Sequence, residues 1–230
     1  MSVFNQERAR TYDASARTTM PGYEALHEMA RDGLAAYVDP DQPARVLLLG
    51  VGTGYEAEQL QQRFPLWKLI GVDPSEPMLE VARQRLGDRV ELRQGVLDDF
   101  DDLMELDAVL SIGVLHHLST REEQPLWIRS IGRRLRVGGV LLLGCQVGPY
   151  RAEGPRMRTL QARWQTLGGN AEQMAERMRA FQTMTLPPDR SALDAWVQDS
   201  GLTLPESLFR TGYFQLLAAE KARAVVHQAG

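Results

Sequence analysis

From Val46 to Cys145 short apolar runs alternate with stretches of helical spacing. Val46–Leu49, Leu69–Val72, Val90–Leu92, Ala108–Ile112 and Val140–Cys145 read as strands. Between them, Tyr55–Phe64, Pro74–Leu86 and Arg121–Leu135 carry helical spacing, with Ser75 as an N-cap and Gly138-Gly139 as a stop. Strands alternating with helices predict an α/β fold: a Rossmann-like, doubly wound parallel sheet with right-handed crossovers. Ahead of it, residues 4–38 read as helical, broken at Met20-Pro21-Gly22, with Leu26, Met29, Ala30, Leu34 and Tyr37 on one face. Asp39–Pro43, with two prolines, is a linker. After Cys145 the alternation stops. Tyr150–Met184 reads as polar helices with Met157, Leu160, Trp164 and Leu167 along one side, then Met174, Met178 and Phe181. A helix over Ser191–Asp199 and two strands, Leu202–Phe209 and Tyr213–Ala219, close the pattern.

Composition narrows the class. The 230 residues suffice for one α/β domain with a small appendage. A net charge of −4 argues against a nucleic-acid partner. The single cysteine, Cys145, excludes an internal disulfide and a cysteine metal cage, and its apolar surroundings make it an inert thiol. The N-terminus shows no apolar signal region, and no run approaches ~20 apolar residues. A cytoplasmic protein without a membrane partner is the expectation. The acidic cluster Asp98, Asp99, Asp101, Asp102, Glu105 and Asp107 reads as solvated surface, so no metal is expected.

The chemistry concentrates at strand ends. The first strand runs into Gly50-Val51-Gly52-Thr53-Gly54 and a helix start, where backbone can approach a ligand more closely than any side chain allows. The spacing is G-x-G-x-G, not the G-x-G-x-x-G of pyrophosphate-binding dinucleotide sites. That favours S-adenosylmethionine (SAM), which has no phosphate. Asp73 ends the second strand nineteen residues after Gly54, where an acid can accept bonds from both ribose hydroxyls. Gly95-Val96-Leu97 and Ser111-Ile112-Gly113 end two further strands, so four ends converge on one crevice.

Together these residues resemble the class I SAM-dependent methyltransferases. Leu47–Gly54, Gly71–Met78, Val90–Asp99, Leu106–Ser111 with Val114–Leu118, and Leu135–Val140 carry the resemblance, densely over residues 44–147. It implies a seven-stranded sheet whose last strand is antiparallel. It implies a helical lid over 1–43, a SAM-binding domain over 44–230 and a helical cap insertion over 148–185. By the same resemblance Gly50 and Gly52 border the methionine part, Asp73 holds the ribose, and Met78, Val96 and Leu97 flank the adenine. Val51, Gly54, Pro74, Gly95, Ser111, Ile112 and His117, the last beside the methyl, complete the expected cofactor site, and Tyr12 resembles a lid tyrosine. Phe4, Arg17–Tyr23 and Tyr213–Glu220 resemble carboxy-SAM synthases, which makes a homodimer the assembly to test.

Two departures matter. Leu48 stands where the family usually has an acid for the SAM amine, and Val96 where an acid commonly meets the adenine. Trp196 falls where the synthases hold the extra carboxylate with an arginine. Methyl transfer needs alignment, and a base only for a protonated nucleophile. His117 is the candidate base, and Tyr12 the second candidate catalytic group. Tyr23, Tyr150, Arg151 and Trp164 are candidates for the acceptor, expected to be a small molecule. Two alternatives stay open. One is non-methylating chemistry, in which the SAM amine attacks its own side chain and releases methylthioadenosine, or a carboxy-SAM reaction. The other is SAM binding without catalysis.

Overall fold

The apolar runs at Val46, Leu69, Ala108 and Val140 become strands buried on both faces, which is why they read as continuous rather than alternating. The structure, a computed structural model, describes residues 5–168 and 170–222. β1 (Ala44–Leu49) pairs in parallel with β2 (Trp67–Asp73) on one side and β4 (Leu106–Ile112) on the other. β3 (Glu91–Gln94) lies beyond β2 and β5 (Leu135–Gln146) beyond β4, again parallel. β7 (Phe214–Glu220) joins β5 antiparallel, and β6 (Glu206–Thr211) forms the edge against β7. The order β3-β2-β1-β4-β5-β7-β6 is the expected seven-stranded sheet.

Side-chain alternation along the strands divides the core in two. Val46 and Leu48 of β1 join Leu26, Leu34, Leu60 and Leu79 on one face. Leu47 and Leu49 join Ile128, Ile131 and Leu193 on the other. α3 (Tyr55–Arg63) and α4 (Glu76–Leu86) cover the first face, and α5 (Glu123–Arg134) and α8 (Arg190–Asp199) the second. Cys145, in β5, is fully buried, and burial pushes its thiol up to about 12.

The N-terminal helices behave differently from each other. α2 (Tyr23–Tyr37) lies on the sheet. A Cβ at Gly33 would stand 2.8 Å from Leu208 Cδ1, so the bare backbone lets the helix approach. Its buried face is Tyr23, Leu26, His27, Ala30 and Leu34; Met29, expected inside, is 37% exposed. α1 (Gln6–Thr19) meets α4 and α2 and crosses the strand ends instead. Phe4 lies outside the described residues.

Some boundaries move for identifiable reasons. The helix expected to run to Leu135 ends at Arg134, because Leu135 already pairs with Leu106 across a bulge and begins β5. The glycines expected to stop it lie inside β5, and a Cβ at Gly139 would come within 2.7 Å of the Leu106 carbonyl. The strand expected from Leu202 starts at Glu206, after Pro205, and Leu202 makes one isolated bridge to Lys221. The polar helical region resolves into α6 (Pro155–Thr166) and α7 (Ala171–Thr183). Met157, Leu160 and Trp164 of α6 form a third cluster with Tyr213. Ser75 is the N-cap of α4, though its side chain does not bond to the helix amides; its own N–H donates to Asp73.

Candidate active site

The glycine turn is held by its neighbours. The amides of Gly50 and Val51 both donate to the Val72 carbonyl, at 2.8 and 3.2 Å. Gly50 has φ +67°, and a Cβ there would stand 2.3 Å from Val114 Cγ2. Only glycine meets both demands. Asp73 then fastens the turn to β2. Its Oδ2 accepts from the Gly52 amide at 2.9 Å and its Oδ1 from the Ser75 amide at 2.8 Å. Burial pushes this carboxyl above its usual range, and the two N–H donors oppose that rise.

Above the turn lies a cavity of about 420 Å³, within the usual range for a small-molecule site. Of the residues expected at the cofactor, Tyr12, Gly50, Val51, Gly52, Asp73, Pro74, Met78, Ile112 and His117 line it. Gly54, Gly95, Val96, Leu97 and Ser111 do not. Gly54 caps α3 in a left-handed conformation. Gly95 is taken up in the bend after β3, its amide donating to the Asp73 carbonyl. Val96 is 53% exposed, Leu97 turns into the core, and Ser111 is fully buried within β4.

A second cavity of about 540 Å³ adjoins the first, and Tyr12, Ala16, Met20, Gly113 and His117 border both. α1, α6 and α7 bound it together with residues of β6, β7 and their turn. Trp164 lines this second cavity and Tyr23 the first. Tyr150 and Arg151 line neither. Tyr150 packs beside Phe181 and Tyr213, and Arg151 is exposed, its amide 3.4 Å from the Tyr213 hydroxyl. Trp196 packs against the core on the α5–α8 side, away from both cavities.

Several cavity residues escaped the sequence reading: Asp13, His27, Tyr55 and Glu56. Asp13 sits beside the lid tyrosine Tyr12, His27 in a helix read only for its apolar face, and Glu56 looks like an ordinary first-turn acid. The charges are unevenly satisfied. Asp13 accepts from Thr53 Oγ1 at 2.7 Å and from Arg85 at 2.6 Å. Burial, reinforced by Glu56, Asp13 and Asp73, pushes the Tyr12 hydroxyl up to about 12. Tyr23 moves the same way for the same leading reasons. Burial pulls His116 down to about 3 and also lowers His117, where Arg8 adds to the effect. Both imidazoles are therefore neutral at neutral pH.

A methyltransferase domain model matches residues 46–139. A trans-aconitate 2-methyltransferase of Variovorax paradoxus (strain S110) is 31% identical over 209 residues, 78% of this chain and 76% of that protein. The chain belongs to the class I SAM-dependent methyltransferases. A carboxy-S-adenosyl-L-methionine synthase of Helicobacter pylori (strain G27) is 26% identical over 95% of this methyltransferase and 93% of its own length. An O-methyltransferase family protein from Burkholderia thailandensis has the same fold, with a TM-score of 0.65 and 19% identity over 88% of this chain. This methyltransferase spans only 57% of that longer chain.

SAM, the cofactor of this family, fits the first cavity on chemical grounds. SAM carries a sulfonium and an ammonium, and Asp13, Glu56 and Asp73 supply negative charge. Tyr12, Tyr23 and Tyr55 supply aromatic faces, each worth about 0.5–2 kcal/mol to a cation. Among the described residues no group of three or more His, Cys, Asp or Glu could hold a metal ion.

Proposed function

We propose that this enzyme transfers the SAM methyl to a small molecule seated between α1, α6 and α7. The observation that carries this reading is the second cavity, which meets the first at Tyr12, Gly113 and His117. A chamber of about 540 Å³ bounded by helices suits a small acceptor. The net charge of −4 supports that choice over nucleic acid. The trans-aconitate relatives, named for a small-molecule substrate, support it too.

The roles follow from position. The Gly50–Gly52 turn and Asp73 hold SAM, which supplies the methyl. α1 closes over both ligands through Tyr12, whose hydroxyl stays protonated and orients them. His117, neutral at the shared border, takes the proton of a hydroxyl or amine nucleophile. Trp164 and Phe181 give the acceptor an apolar wall, and Arg8 and Arg177 favour one with an anionic group. The test is methyl transfer from labelled SAM across small carboxylates, phenols and amines. S-adenosylhomocysteine formed only when one of these is present supports the reading. Transfer only to RNA or protein refutes it.

Leu48 favours a second reading, in which SAM itself reacts. Leu48 is buried in the core and lies outside the cavity, so β1 offers the SAM amine no carboxylate. The similarity to carboxy-SAM synthase over 95% of the chain supports chemistry on SAM. In the cyclisation, the neutral amine attacks its own γ-carbon. The carbon–sulfur bond breaks, methylthioadenosine leaves, and the ring nitrogen loses a proton. The carboxy-SAM form lacks support, since Trp196 replaces the arginine and lies elsewhere. Incubation with SAM alone decides: methylthioadenosine above the spontaneous rate supports cyclisation, and its absence removes it.

A further inference from the structure

We infer that Glu56, positioned by His27, holds the ammonium of SAM in place of the acid that β1 lacks at Leu48. This rests on the reading of the first cavity as the SAM site. Three carboxylates border that cavity, and two are already engaged. Asp73 has both oxygens on backbone amides, and Asp13 has both on Thr53 and Arg85. Glu56 faces His27, its Oε1 3.3 Å from Nδ1 without the alignment of a hydrogen bond, and no arginine or lysine pairs with it among the described residues. Its side chain keeps 20% exposure, opening to the cavity.

His27 gives the independent observation. It is 4% exposed and lines the cavity, yet neither ring nitrogen makes a hydrogen bond. A buried polar group left unmatched is costly, so such a ring in a cavity wall marks a place completed by a ligand. Tyr23 and Tyr55 hold the ring edge-on, with centroids 4.2 and 5.0 Å away, which fixes its orientation towards Glu56. The same two tyrosines offer faces to a cation. Arg17, stacked over both tyrosine rings, is paired with Glu24 and not with Glu56.

The position is also right. Glu56 lies in the first turn of α3, directly after the glycine turn, and between that turn and α2. Asp73, Pro74 and Met78 line the other part of the cavity, where ribose and adenine belong. Its charge reaches Tyr12 and Tyr23, contributing to the rise of both hydroxyls. Strand one has therefore given up a carboxylate that the neighbouring helix supplies.

Calorimetry with S-adenosylhomocysteine and with its analogue bearing hydroxyl for amine tests this in four titrations. Glu56→Gln should weaken S-adenosylhomocysteine about tenfold or more, the loss of a charge-assisted contact. It should change affinity for the hydroxyl analogue less than about twofold, since that ligand has no ammonium to lose. Equal losses on both ligands, or none on either, would overturn the assignment. If wild type binds neither ligand, the SAM reading of the cavity fails, a different result from the failure of Glu56. Should Glu56→Gln not fold, Glu56→Asp keeps the charge at a shorter reach. A smaller loss, confined to S-adenosylhomocysteine, is then expected, and equal loss on both ligands overturns the proposal. His27→Asn should weaken S-adenosylhomocysteine in wild type but add nothing in the Glu56→Gln background; an additive loss would remove His27 as a positioning residue.

Discussion

The floor of the first cavity and the walls of the second are built by different means. The floor is backbone. β1, β2 and β4 end together, the glycine turn bonds to Val72, and Asp73 ties Gly52 to β2. The walls are side chains on helices, and α7 has no fully buried residue among those described. α7 meets α6 through contacts such as Gln161 Nε2 to Met178 Sδ at 3.3 Å. The first cavity is thus specified by spacing and backbone geometry, which few sequences can meet. The second is specified by helix side chains, those of α7 lightly packed, that can change without disturbing the floor.

Hydrogen exchange tests that contrast most directly. Amides in β1 and β4 should exchange at least about 1,000-fold more slowly than those in α7, as expected for core against lightly packed elements. Equal protection would break the comparison. Next in size is Gly50→Ala. The clash with Val114 and the φ of +67° should cost about 2–4 kcal/mol in thermal unfolding. Gly168→Ala, at φ +84° after α6 with nothing within 4 Å, should cost only about 1–2 kcal/mol. Asp73→Ala should weaken SAM about 10–100-fold by titration. Trp164→Phe should leave SAM binding within about twofold, raising only the KM for an acceptor; loss of SAM affinity there would merge the two halves.

A separate test reads pH through His116. Folding lowers the His116 pKa from 6.5 to about 3, so the unfolded chain takes up that proton first. His116 therefore stabilises the fold above about pH 6.5, and this contribution is lost as the pH falls towards 3. Melting midpoints across that window should decline less steeply in His116→Gln than in wild type.

What could be read in the sequence follows the same division. Alternating glycines, an acid nineteen residues later and apolar strands place Gly50, Gly52, Asp73 and Ile112 on one cavity, because sheet register fixes strand ends. Val96 and Leu97 fall outside this cavity because the chain after β3 turns one outward and the other into the core. Tyr150 and Arg151 fall outside both cavities because they lie in the turn before α6, where Tyr150 packs beside Phe181 and Tyr213. His27 was hidden because helical periodicity counts apolar residues, and this buried position is polar. Glu56 looked like a helix-start acid until the occupied partners of Asp13 and Asp73 set it apart.

Cys145 gives the protein its own clock. The chain has one cysteine, fully buried in β5 between β4 and β7, with a thiol that burial holds protonated. A disulfide reagent reacts with thiolate, so the folded sheet shields this sulfur by access and by charge. Labelling then proceeds only through molecules whose central strands have separated. Its rate counts those openings one by one, without a mutation, a dye or a denaturant.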